Sequence, residues 1–143
     1  MDTIRKYFQF DTLNTNFRTE IIAGLTTFVS MAYILFVNPT VLGAAGMDKG
    51  AVFTATALAS AIATIFMGVV ARYPIGIAPG LGVNAFFAYS VVVGMGIPWQ
   101  TAIAGVLVAA IIFLIMTLFK VRELIIDIIP QDLKIAIAAG IGL

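Results

Sequence analysis

Long runs without charge alternate with short polar breaks along this chain. No Asp, Glu, Lys or Arg occurs from Ile21 to Met47, from Ala51 to Ala71 or from Tyr73 to Phe119. A helix rising 1.5 Å per residue needs about 20 apolar residues to cross a hydrocarbon layer about 30 Å thick. The first run holds one crossing, near 21–42, and the second another, near 51–70. The third run is long enough for two. Gly94-Met95-Gly96-Ile97-Pro98 divides it, with Trp99 beside the turn as an interfacial aromatic. The pattern therefore predicts an all-α polytopic membrane protein with spans near 21–42, 51–70, 74–93 and 101–119. Residues 1–20 form a polar leader to the transmembrane region 21–143. A fifth apolar segment starts from about residue 133. Its last stretch, Ile135–Leu143, would cover about 13 Å, less than half a crossing. The expectation is four transmembrane spans plus the start of a fifth, the N-terminal portion of a longer protein.

Composition agrees with a lipid environment. Of 143 residues, 62% are hydrophobic and only 10% charged, with a mean hydropathy of +1.10. Soluble domains carry about 25% charge. The net charge of +1 offers no handle for nucleic acid. The chain has no Cys and no His. That removes disulfides, thiolate nucleophiles, Cys/His metal sites and imidazole triads, so no cofactor, metal site or catalytic residue is expected. With every carboxylate near an interface, no general acid–base pair is available for an enzyme. The run beginning at Ile21 exceeds a signal-peptide core, and a 20-residue leader precedes it. It is read as an uncleaved span.

Basic residues set the expected orientation. A cytoplasmic N-terminus places Arg5, Lys6, Arg18, Arg72, Lys120, Arg122 and Lys134 inside and only Lys49 outside. Two short segments read as interfacial. One carries Ile4, Tyr7, Phe8 and Phe10 among Arg5 and Lys6; the other is Leu124–Ile129, leading to Pro130 and Asp132 at a helix start.

The third span is not an ordinary helix. Between Gly76 and Gly82 lie three Gly and one Pro, Pro79. An interior Pro costs a helix about 3 kcal/mol and each Gly about 1 kcal/mol. Ala78, before Pro79, is pushed toward extended backbone. Ile75–Leu81 is therefore predicted to cross part of the membrane extended, with a helix starting near Gly82–Asn84. Lipid satisfies no peptide group, so such backbone must be buried in protein or face a watery cavity. Broken helices of this kind build midplane sites in secondary transporters. The helix start offers free N–H groups and a positive dipole end, and the unwound part offers carbonyls. A flat polar heterocycle suits that display. Asn84 is the one amide of the span, with two donors and an acceptor to read a ring edge; its alternative role is to cap its own half-helix. Phe86, Phe87 and Tyr89 are candidates to stack on a ring, against the plainer reading of packing. Gly80 and Gly82 would permit close backbone approach.

Other features read as scaffold. Gly80-Leu81-Gly82-Val83-Asn84-Ala85 matches a loose dinucleotide pattern, but it lies in a charge-free membrane run with no acid before Glu123. Thr26, Thr27 and Ser30 are expected to bond back to their own helix or to glue neighbours. Asn38-Pro39 is expected to end or kink span one near the outer face. Ala57/Ala61 and Gly105/Ala109 carry small residues at the spacing that favours close helix packing.

Two stretches carry a family resemblance. Thr26-Thr27-Phe28-Val29-Ser30-Met31-Ala32-Tyr33-Ile34-Leu35-Phe36-Val37-Asn38-Pro39 resembles the first span of AzgA-like purine permeases, within the nucleobase–cation symporter family that also holds xanthine and uracil permeases. Ala78-Pro79-Gly80-Leu81-Gly82-Val83-Asn84-Ala85-Phe86-Phe87 resembles their third span. The likeness runs over essentially the whole chain. It implies proton-coupled import of hypoxanthine, guanine or adenine across the plasma membrane. It implies a fold of two inverted repeats of seven spans, divided into core and gate, of which this chain would be the first part. By motif match it places Gly82 and Asn84 at positions tied to purine recognition. Ala85 and Phe86 fall where backbone groups approach the base, and Thr27 where a polar residue of span one lies near the site. The family's acidic residues for substrate and proton lie in the second half, and no Asp or Glu falls inside any span as drawn above. The chain is therefore expected to be incomplete and inactive alone. Its partners would be a purine nucleobase, a proton and the lipid bilayer, with a homo-oligomer left open. The competing readings are a small oligomeric transporter and a non-transporting membrane scaffold or assembly subunit.

Overall fold

The computed structural model describes residues 2–10, 12, 14–119 and 127–142. The chain divides into two compact units, Met1–Trp99 and Gln100–Leu143.

The first unit opens with a short helix, α1 (Asp2–Tyr7), and then a polar cap that decides where the first long helix begins. Asn16 is extended, and its Oδ1 accepts from the N–H and hydroxyl of Thr19 at 3.0 and 3.2 Å. That satisfies an orphan donor of the first turn. Helix α2 (Phe17–Met31) therefore starts four residues before the apolar run, and it includes Glu20, whose carboxylate accepts from the Thr15 hydroxyl at 2.6 Å. A tight turn at Ala32–Tyr33, closed by i→i+3 bonds, joins α2 to α3 (Ile34–Gly43). Phe17–Gly43 is thus one rod of 27 residues. Asn38-Pro39 does not end it. Pro39 lies inside α3, and the rod tightens two turns earlier.

Gly46 turns the chain at φ +82°, and Asp48 caps α4 (Lys49–Phe66) by accepting from Ala51 N–H at 2.7 Å. α4 widens into a π-helical end, Met67–Ala71, making a 23-residue rod. Chain that is neither helix nor strand follows to Gly80, which is extended. Then α5 (Leu81–Ala85) continues as π-helix over Phe86–Gly94. α3 packs along α4, and both α5 and its π continuation pack on α3. Their seam buries Pro39, Val52, Asn38, Thr56 and Ala88, the last with no exposed surface.

The ends of this unit sort the loops. At one end, Tyr7 Oη donates to Val69 O at 2.7 Å, and the Arg72 guanidinium lies 4.5 Å from the Tyr7 ring centre. Phe10 is buried beside Phe17. The aromatic leader thus packs on the protein's own helix end as well as reading as interfacial. At the other end, Trp99 lies beside Gly46. The N-terminal segment and the turn at Arg72 share one end, and the turns at Gly46 and Gly96 the other.

In the second unit, α6 (Trp99–Leu118) has no charged residue, and Ile103, Leu107 and Leu114 are exposed along it. No atom lies within 4 Å of a Cβ built on Gly105. Helix α7 (Gln131–Gly142) begins after Pro130, with Asp132 in its first turn. The elbow expected at Leu124–Ile129 falls, up to Ile126, outside the described residues.

The described residues thus hold three helices long and apolar enough to cross a membrane, plus the shorter apolar helix Leu81–Gly94.

Candidate functional site

The non-helical stretch between α4 and α5 settles several of its backbone groups within the protein. Arg72 closes α4 in the left-handed region, φ 56°, and the N–H groups of Arg72 and Tyr73 both point to Met67 O. Pro74 and Pro79 have no N–H to satisfy. Ile75 N–H donates to Tyr73 O at 2.9 Å. Ile77 is served by one side chain: its N–H donates to Thr64 Oγ1 at 3.0 Å, and the Thr64 hydroxyl reaches Ile77 O at 3.4 Å. Thr64, on α4, therefore answers both peptide groups of that residue, as a neighbouring strand would.

Close approach occurs at Gly76. A Cβ there would lie 2.6 Å from Met31 Sδ and 3.1 Å from Thr27 Cγ2. The extended chain presses on α2 through a missing side chain. At Gly80 and Gly82, where close approach was expected, nothing lies within 4 Å of a built Cβ and the space is open.

Helix α5 begins at Leu81, within a residue or two of the predicted start. Its cap is Gly80, and no side chain bonds to it. Asn84 does not cap it, because Asn84 lies in the helix and its own N–H makes the first intrahelical bond, to Gly80 O at 3.2 Å. The N–H groups of Leu81, Gly82 and Val83 therefore have no acceptor in the helix. The Asn84 side chain turns to α3 instead. Its Nδ2 donates to Asn38 Oδ1 at 2.5 Å, and Asn38 Nδ2 donates to Thr56 Oγ1 on α4 at 2.8 Å. Asn38 is 3% and Thr56 4% exposed.

A cavity of about 450 Å³ lies along α2, α4 and the extended chain. Its polar lining includes Glu20, Thr27, Ser60, Thr64 and Tyr73. Ala57 and Ala61 face this space, so their small side chains leave room beside α4. Thr27 reaches the cavity with its hydroxyl donating to Ala23 O at 3.0 Å; Thr26 and Ser30 bond back likewise to Ile22 O and Thr26 O. Gly82, Asn84, Ala85 and Phe86 do not line it. They sit at the start of α5, with Asn84 and Ala85 half-buried and Phe86 60% exposed. The five residues singled out in the sequence thus occupy two neighbourhoods, joined by the extended chain. Asn38, Thr56 and Thr64 had no site role in the sequence reading. The available signal was their polarity within apolar spans.

Comparison with known proteins adds identity to this geometry. A sequence profile described as a permease family matches residues 18–143. The guanine/hypoxanthine permease PbuG of Bacillus subtilis is 58% identical over 98% of this chain and 34% of its own length. The adenine permease AdeP of Escherichia coli is 47% identical over 98% of this chain and 32% of its own length. A putative permease of Methanocaldococcus jannaschii is 52% identical over the whole chain. This chain therefore spans about a third of the length of the curated relatives it matches. No solved structure matches it.

Proposed function

This chain belongs to the permease family of xanthine and uracil transporters, and from that premise we propose that it serves purine nucleobase uptake. The single observation that carries the reading is the broken segment Tyr73–Gly94, in which non-helical chain lines a cavity over Tyr73–Ala78 and then leads into an amide-bearing helix start. The names of the relatives, which specify guanine, hypoxanthine and adenine, supply the substrate class.

In this reading the broken segment is the third of four spans, and α7 begins a fifth. The whole would follow two inverted repeats of seven spans. The transmembrane region is taken as 21–143, with 1–20 as a cytoplasmic leader in the plasma membrane. Asn84 reads the ring edge, Gly82 brings a free N–H of the helix start to it, Ala85 and Phe86 lie where backbone groups approach the base, and Thr27 borders the site from α2. Coupling to protons is part of the proposal, as is the dependence of transport on polypeptide beyond these residues.

The test is accumulation of radiolabelled hypoxanthine, guanine and adenine in cells lacking purine uptake. Expression from the complete open reading frame is expected to restore uptake of at least one purine, collapsing with a protonophore. Asn84→Ala is expected to reduce uptake at least tenfold at unchanged membrane abundance, and the 143 residues alone are expected to give none. Absence of uptake and of thermal stabilisation by any purine would favour a scaffold role and overturn the reading.

A further inference from the structure

Asn84 is held by a buried two-link chain, and the polarity of that chain has a consequence for the ligand. Asn38 lies in α3 and Thr56 in α4, and both are sealed in the helix seam. The Asn38 amide nitrogen is committed to Thr56 Oγ1. Its carbonyl oxygen must then face the opposite way, where it accepts from Asn84 Nδ2. Asn84 in turn has its amide nitrogen drawn inward. Its Oδ1 takes no hydrogen bond from the described residues, and no buried side-chain oxygen is left unpartnered among them, so that oxygen stays accessible. An Asn amide free to flip offers a ligand either a donor or an acceptor; a pinned one offers a single face.

We propose that Asn38 and Thr56 are positioning residues that fix the Asn84 amide so that it presents its carbonyl oxygen to a ring N–H of the nucleobase. The proposal rests on the reading of Asn84 as a substrate contact. Thr56 sits two helices away from the ligand and acts only through Asn38. The chain selects ligands that bring a ring N–H to that position and rejects those carrying a methyl there. Burial couples the two amides, because flipping one alone would place two like groups face to face in an apolar seam.

The test uses protein expressed from the complete open reading frame, with membrane abundance measured for every variant. Thr56→Val and Thr56→Ala remove the acceptor, and Thr56→Ser keeps it. The Val and Ala variants are expected to raise KM for hypoxanthine about tenfold with Vmax per transporter within twofold, and Ser to stay within twofold of the parent. On an Asn84→Ala background, Thr56→Val is expected to change KM no further. Among competing 1-, 7- and 9-methylhypoxanthine, the parent is expected to reject at least one strongly, and Thr56→Val to lose that discrimination. If a variant lacking the hydroxyl fails to reach the membrane, the remaining one is compared with Ser. Unchanged KM in both Val and Ala variants, or loss of Vmax and abundance alone, would overturn the positioning role. Unchanged KM in Asn84→Ala would instead overturn the reading of Asn84 itself.

Discussion

Gly76 is the position at which a single atom matters most. The chain passes α2 so closely that a methyl group would enter the Met31 side chain and touch Thr27. Gly76→Ala is expected to cost about 1–3 kcal/mol as overpacking, read as a lowered Tm in detergent. Met31→Ala should recover most of that loss in the double variant, because the clash is with a flexible side chain. If Gly76→Ala left Tm unchanged, the extended chain would not lie against α2. At this scale the sequence was partly legible. Asn84 stood out as the lone amide of its span, and the helical hydroxyls of Thr26, Thr27 and Ser30 do bond back to their own backbone. The side-chain partner of Asn84 was hidden, because Asn38 lies 46 residues away and its neighbouring Pro39 drew a backbone explanation instead. Residue identity alone does not separate Gly76 from Gly80 and Gly82. Only the path of the chain past Met31 selects Gly76.

The extended element depends on α4 for its hydrogen bonds, and Thr64 is the hinge of that dependence. Thr64→Val keeps shape but leaves the N–H and C=O of half-buried Ile77 without their partner, at about 1 kcal/mol for each group. Thr64→Ser retains the hydroxyl. The expected outcome is a clear drop in Tm for Val and near-parent behaviour for Ser, together with faster amide exchange confined to 75–78 in the Val variant. Equal stability of the two variants would show that Ile77 is satisfied elsewhere. The break itself was legible because two prolines and three glycines between Pro74 and Gly82 make a continuous helix costly. Element boundaries were less so. Apolar runs mark where lipid is tolerated, whereas Asn16 and Asp48 mark where helices start, and both caps lie outside or at the edge of those runs. This is why Glu20 falls within the first helix rather than before it. The π-helical ends of α4 and α5 leave no sign in composition.

For the molecule as a whole, alternating crossings explain why Tyr7 meets Arg72 at one end while Trp99 meets Gly46 at the other. Membership of a permease family agrees with that layout of apolar crossings. The central claim is that residues between α4 and α5 run extended through the membrane beside a solute-accessible space. These 143 residues hold no cysteine, and any cysteine elsewhere in the complete reading frame is first replaced by alanine so that single replacements are read without a background. The most direct measurement is a scan of Ile75–Gly82, one cysteine at a time, in protein from the complete open reading frame. Each is treated with a small charged thiol reagent with and without hypoxanthine. The expected result is labelling on consecutive positions toward Gly80–Gly82, slowed by the purine. Labelling at every third or fourth position, or none at any, would mark a lipid-embedded regular helix and contradict the account.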